Sequence, residues 1–136
     1  MERTPLPPEI LPVLENGLPA TIVTCSADGI PNTTYLSRVY YVDEQRLALS
    51  FQFFSKTVKN VRENPKVALM LNDLVTASAW LLRLTYDHSE TDGSLFDEMD
   101  MNIEAIASAT GMSGVFSLKA ADVYWVNSIE RVVYEF

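Results

Sequence analysis

Residues 51–60, Phe51-Gln52-Phe53-Phe54-Ser55-Lys56-Thr57-Val58-Lys59-Asn60, run an aromatic strand directly into a helix, which Asn64-Pro65 then stops. The chain resumes as the apolar run 67–71, so the path here is strand, helix, strand, with a proline as punctuation. The helix opens on Ser, Lys and Thr. The first backbone N–H groups of a helix have no partner within it, and the macrodipole makes that end partly positive. Such a junction suits a phosphate, with Lys56 and Thr57 as further donors. The competing reading makes Ser55 a plain cap on a surface helix and leaves the lysines to solvent.

The remaining segments are mostly strand. Residues 7–17 read as a short helix that starts at prolines and stops at Gly17, with Pro12 inside it, and that packs as a lid. Residues 18–25 are rich in β-branched side chains, Ser26-Ala27-Asp28-Gly29 is a turn, and a hairpin into residues 32–42 follows. Asp43-Glu44-Gln45-Arg46 turns the chain into the alternating run 47–53. Residues 79–88 form a long strand with Trp80, Leu82, Leu84 and Tyr86 on one face. Residues 94–110 carry the amphipathic stripe Leu95, Phe96, Met99, Ile103, Ile106 and Ala107, with Gly111 just past the end, and Met99 and Met101 are read as structural. A last strand over 115–126, bulged near Ala120-Ala121-Asp122, and a short edge over 129–136 complete the chain. This order, with one helix after the third strand and another before the last, suits a mainly β fold: a small antiparallel barrel with flanking helices, not a doubly wound sheet.

Composition narrows the function. The chain has 136 residues, 48% of them apolar, and is read as one domain over 1–136. Its net charge of −8 argues against nucleic acid as a partner. Lys56, Lys59, Arg62 and Lys66 nevertheless cluster, which keeps a phosphate-sized ligand in view. Cys25 and His88 are each the only residue of their kind, so there is neither an internal disulfide framework nor a Cys/His zinc set. Asp97, Glu98 and Asp100 fan around a helix, and no metal is assigned. Cys25 reads as a small buried hydrophobe. His88 reads either as a general base or as a histidine at a polar turn at the barrel edge. Asn60 is expected to face the barrel or cap locally, and Lys59 and Arg62 to cover the solvent side of their helix. With no secretion-type leader and no apolar run of membrane length, a soluble, cytoplasmic protein is expected.

Taken together, residues 21–29, Ser37-Arg38-Val39, Ser55-Lys56-Thr57, Asn60 and Asn64-Pro65 resemble the FMN-binding split barrel of the pyridoxamine 5′-phosphate oxidase-related superfamily, over most of the chain. The resemblance implies an antiparallel, Greek-key-like barrel of about six to seven strands. It implies a homodimer with FMN at the interface. Ser55, Lys56 and Thr57 would hold the phosphate, and Ser37, Arg38, Val39, Ser50, Phe51 and Gln52 would line the ring system. Trp80 and Trp125 would close the site from the partner chain, with packing at core or interface as the alternative role for both. Arg38 has an alternative too, as the partner of a nearby carboxylate. The vitamin B6 oxidases carry an Arg-and-His-bearing segment after the last strand, whereas this chain has only Arg131 there. The resemblance therefore implies a flavin-dependent oxidoreductase acting on another small molecule, with catalytic residues unassigned because the flavin brings the chemistry. A deazaflavin-binding or cofactor-free barrel with a sensory or dimerising role is the alternative. Haem is disfavoured by the single histidine.

Overall fold

The structure, a computed structural model, describes residues 1–15, 20–36, 38–51, 55–111 and 117–133. A 3-10 turn at Pro8–Ile10 runs into α1 (Leu11–Glu15). The strands are β1 (Ala20–Cys25), β2 (Pro31–Leu36), β3 (Tyr40–Asp43), β4 (Arg46–Phe51), β5 (Lys66–Asp73), β6 (Ser78–Glu90) and β7 (Ala120–Val133). Helix α2 (Ser55–Glu63) follows β4, and α3 (Gly93–Ala109) lies between β6 and β7. The seven strands form one sheet in the order β2-β1-β5-β6-β7-β4-β3, and every neighbouring pair is antiparallel.

That order dictates the overall curvature. β2 and β3 are consecutive in the chain yet stand at opposite ends of the sheet, and only three residues separate Leu36 from Tyr40. Four Cα steps reach about 14 Å at most. A flat sheet of seven strands is about 29 Å across at the usual strand spacing. The sheet must therefore curl until its two edges approach, and the result is a barrel left split between β2 and β3. The sequence suggested one continuous strand over 32–42. The structure ends β2 at Leu36 and starts β3 at Tyr40, and the two serve different partners, β2 on β1 and β3 on β4.

Most other elements fall where the sequence puts them. The β1–β2 turn closes with Ser26 N–H bonded to the Ile30 carbonyl at 3.0 Å and Gly29 at φ +80°, a value that suits a residue without Cβ. In α3, Met99, Ile103 and Ala107 are buried, Leu95 and Phe96 pack partly against the same cluster, and Ile106 faces outward at 42% exposure. The C-terminal strand differs from expectation. Residues 120–133 form a single 14-residue strand between β6 and β4, not a strand plus an edge. Its irregularity lies at Asn127, where Arg83 pairs with Ser128 but Leu84 with Val126, and not at 120–122. Asn127 and Ser128 look like a break in the apolar pattern. The ladder absorbs them as a bulge, and Asn127 uses its polar groups: Thr4 Oγ1 donates to its carbonyl at 2.7 Å, its Nδ2 donates to the Glu2 carbonyl at 2.8 Å, and its Oδ1 accepts from Thr85 at 2.6 Å.

The interior has two parts. The larger cluster includes Ile22, Leu47, Leu69, Leu82, Leu84 and Val126, with Ile10, Val13 and Leu14 from the N-terminal helical segment covering one end and Val61 of α2 entering from another. The smaller one joins α3 to the sheet through Met99, Ile103, Tyr40, Ala48, Ala121 and Val123. Alternation along β7 divides its residues between the two, with Tyr124 and Val126 in the first and Ala121 and Val123 in the second. None of the described helices is long and apolar enough to cross a membrane.

Candidate functional site

Helix α2 begins at Ser55, the first residue of the expected anion seat. Among its described residues Val61 is the one fully buried hydrophobe, so polar contacts do much to hold the helix to the sheet. Near its start, Asn32 Nδ2 of β2 donates to Thr57 Oγ1 at 3.5 Å. In the middle, Asn60 is 3% exposed and donates to the buried Thr24 hydroxyl at 3.1 Å, which fulfils the inward-facing reading of this residue. At its end, Glu63 accepts from the Ala27 N–H at 3.3 Å. Lys56 and Lys59 are exposed and Thr57 is half-buried. Beneath the first turns lies a small enclosed cavity of about 20 Å³ lined by Ser50, Thr57, Val58, Asp122, Tyr124 and neighbouring aliphatics. Ser50 and Thr57, two of the expected ligand residues, therefore meet there.

Arg38 and Val39 line a second cavity, of about 320 Å³, together with Tyr40, Tyr41, Glu15 and Glu98. The Arg38 guanidinium lies 5.0 Å from the Tyr40 ring centroid, and its Nε is buried without a hydrogen-bond partner among the described residues. Tyr40 itself is fixed by donating its hydroxyl to Asn102 Oδ1 at 2.6 Å. Tyr40 pairs with Ala48, so Arg38, two residues before Tyr40, stands toward the end of β4 that contains Ser50 and leads to α2. The order of the strands thus carries Arg38 to the same end of the barrel as the helix start. Ser37 and Gln52 lie outside the described residues, as do the side chains of Phe51 and Ser55.

The tryptophans lie elsewhere in the protomer. Trp125 pairs with Arg46, at the opposite end of β4 from Phe51, which pairs with Ala120. Five residue steps along the strand separate the two ends, about 17 Å. The Arg3 guanidinium covers the Trp125 ring at 3.7 Å from its centroid, and Arg46, ion-paired to Asp43 at 2.7 Å, lies at 5.2 Å. Trp80 is 6% exposed in the larger core cluster, with its Nε1 unpaired among the described residues. One chain thus brings Ser50 and Thr57 to one cavity and Arg38 and Val39 to another, and Trp80 and Trp125 line neither.

Cys25 is half-buried, more open than the core position its sequence context suggests. His88 follows a bulge at Asp87 in β6 and is held on both sides, Nδ1 to Asp87 at 2.7 Å and Nε2 to Glu90 at 2.9 Å. The Asp87 hydrogen bond, then that of Glu90, raises its pKa above the ordinary 6.5. A raised histidine pKa contributes stability that is fully present below pH 6.5 and fades as pH climbs through the folded-state value. The melting temperature of His88→Gln should therefore fall furthest below wild type in acid, and the gap should close toward alkaline pH. A constant gap across that range would exclude the clamp as its origin.

Arg62 is exposed, as expected of the solvent side of the helix, yet it also reaches back to the sheet. Its guanidinium donates to Ser89 Oγ at 3.2 Å, stands 3.8 Å from Asp122 Oδ1, and lies 4.6 Å from the Tyr86 ring centroid. Ser89 donates to Asp122 at 2.6 Å and shares a 2.5 Å hydrogen bond with Tyr86. Burial pushes the Asp122 carboxyl above its usual range, opposed by Ser89 and Arg62. No spacing in the sequence links positions 62, 86, 89 and 122. The one visible sign is an aspartate inside the apolar run Ala120-Ala121-Asp122-Val123-Tyr124.

Comparison with known proteins agrees with this architecture. The seven-stranded split barrel is that of FMN-binding split-barrel proteins, and residues 6–127 match the family described as pyridoxamine 5′-phosphate oxidase. The chain belongs to that family. An uncharacterized protein of Methanocaldococcus jannaschii is 38% identical over 45% of this chain and 42% of its own length. A Saccharomyces cerevisiae protein described as a pyridoxamine 5′-phosphate oxidase homolog is 24% identical over 95% of this chain and 73% of its own. An FMN-binding protein from Syntrophomonas wolfei superposes with a TM-score of 0.73 at 15% identity, covering 92% of this chain and 89% of that one. An F420 reductase (TM-score 0.67, 14% identity, 92% and 98% covered) and the Vibrio cholerae heme storage protein (0.62, 17%, 93% and 94%) share the fold.

Proposed function

We propose that this protein is an FMN-binding flavoprotein, a cytoplasmic oxidoreductase formed by one domain over residues 1–136 and working as a homodimer with the flavin at its interface. The observation that carries this reading is the buried Nε of Arg38, which has no hydrogen-bond partner among the described residues and stands toward the Ser50 end of β4. Buried donors without partners are rare in folded proteins, and a guanidinium suits an anionic ligand held by more than one hydrogen bond. Lys56, Thr57 and the first N–H groups of α2, with Ser55, would hold the phosphate. Arg38, Val39 and Ser50, with Ser37, Phe51 and Gln52, would bind and orient the ring. Of the two tryptophans, Trp125 is half-exposed and is the one proposed to reach the flavin of the partner subunit, whereas Trp80 is buried and offers an indole N–H without a partner among the described residues. When bound, the isoalloxazine supplies hydride or electron transfer. The chain then needs to bind, orient and shield, and the absence of an evident nucleophile or metal set among the assigned residues is no obstacle.

The substrate is taken to be a small molecule other than pyridoxamine phosphate, because residues 126–136 hold Arg131 but no histidine beside it. Haem is not favoured: both ring nitrogens of His88, the only histidine, are engaged by carboxylates. The test is the visible spectrum of the purified protein, FMN titration if it is colourless, and light scattering for its assembly. A flavin spectrum or saturable FMN binding by a dimer supports the reading. F420 binding with no response to FMN would move it to a deazaflavin protein, and indifference to both would leave a cofactor-free module.

A further inference from the structure

Among the described residues Asp122 is the carboxylate that the fold places under the first turns of α2, and this inference rests on the phosphate seat proposed at the start of that helix. The residue is 4% exposed and lines the same cavity of about 20 Å³ as Thr57. Thr57, Val58 and Val61 of α2 line that cavity with it, which places Asp122 beneath the helix. A buried carboxylate there would repel a phosphate docking above it, and the low dielectric of the interior would strengthen that repulsion. Arg62 answers the charge from the last turn of the same helix, 3.8 Å from Asp122 Oδ1 and bonded at 3.2 Å to the serine hydroxyl that donates to that carboxylate. The Tyr86 ring, 4.6 Å away, helps keep the guanidinium turned inward, although the side chain is 41% exposed.

We infer that Arg62 is the counter-ion that neutralises Asp122 and thereby lets the start of α2 accept a phosphate. It is a positioning and charge-balancing residue that does not touch the ligand. The alternative, an arginine that merely staples α2 to β6, predicts a different response to substitution. A staple supports everything the helix does, whereas a counter-ion matters only for ligands that bring negative charge.

The experiment measures FMN and riboflavin binding by fluorescence quenching for wild type, R62M, R62K, D122N and the double variant R62M/D122N. Riboflavin carries the same ring without the phosphate. R62M should weaken FMN binding by about tenfold and leave riboflavin unchanged. R62K, which keeps the charge, should stay near wild type. D122N still accepts the Ser89 hydroxyl through its amide oxygen, and in the double variant it should restore FMN affinity to within about twofold of wild type. Parallel losses for FMN and riboflavin, or a double variant no better than R62M, would overturn the inference. Should R62M fail to fold, the double variant decides alone: FMN affinity near wild type supports the counter-ion role, and a loss overturns it. Wild type that binds FMN while R62M binds it equally well would sink the counter-ion role alone. Wild type that binds neither flavin would remove the phosphate seat and this inference with it.

Discussion

Replacing Lys56 and Thr57 together with alanine is expected to weaken FMN binding on the order of a hundredfold, while the ligand-free protein melts close to the wild-type temperature. The size follows from the interactions lost. A hydrogen bond to a charged group is worth about 1.5–3 kcal/mol and a neutral one about 1 kcal/mol, so the pair removes roughly 3 kcal/mol, or two decades of affinity. Stability should barely change because Lys56 is exposed and Thr57 half-buried, where its main partner is a long 3.5 Å contact from Asn32. Titration of the double variant against FMN reads the first quantity and a thermal melt reads the second. Unchanged affinity would refute the seat, and a collapsed melting temperature would reassign both residues to the fold.

Leu82→Ala should destabilise the protein far more than the paired Lys56 and Thr57 substitutions. Leu82 is fully buried at the centre of β6, paired with Leu69 on one side and Ile129 on the other, inside the larger core cluster. Truncation of such a leucine costs about 2–5 kcal/mol through lost burial and the cavity left behind. Near the middle of that range the melting temperature should fall by roughly 10 °C for a chain of this size. Denaturant titration should show a lower midpoint with an unchanged slope. A loss under about 1 kcal/mol would mean that the core around β6 collapses to fill the space, contrary to its tight packing against Leu69 and Ile129.

How far the sequence revealed this molecule depends on the range of the interaction involved. The α2 start, the Ser26–Gly29 turn and the buried face of β6 were legible because each rests on neighbouring residues: a hydroxyl and a lysine at a helix start, a glycine at positive φ, leucines at every second position. Breaking the run 32–42 was not legible, because nothing local says that β2 and β3 pair with different strands. Asn127 looked like an ending in sequence and became a bulge, since its polar groups are used by the N-terminal residues, over a hundred positions away. At the site, Ser50 and Thr57, on either side of one strand-to-helix junction, line a common cavity, while Arg38 and Val39 line another. Trp80 was assigned by resemblance and packs in its own core, where any large apolar ring would go. The Arg62, Tyr86, Ser89 and Asp122 group escaped notice because separate segments far apart in the chain contribute it.

The split between β2 and β3 bears on how the molecule moves. Both strands are held along one side only, while β6 and β7 share a ladder running from Ser78↔Val133 to Glu90↔Ala121 at the heart of the sheet. Fluctuations that open the structure short of unfolding should start where the fewest hydrogen bonds must part, at the seam, and leave the β6–β7 ladder as the last part to exchange with solvent. Asn32, which reaches Thr57, belongs to one of those two edge strands, and Tyr40, which carries the Arg38 guanidinium over its ring, belongs to the other. A barrel that breathes along this seam would loosen Asn32 and Tyr40 while the β6–β7 ladder still holds the two halves together.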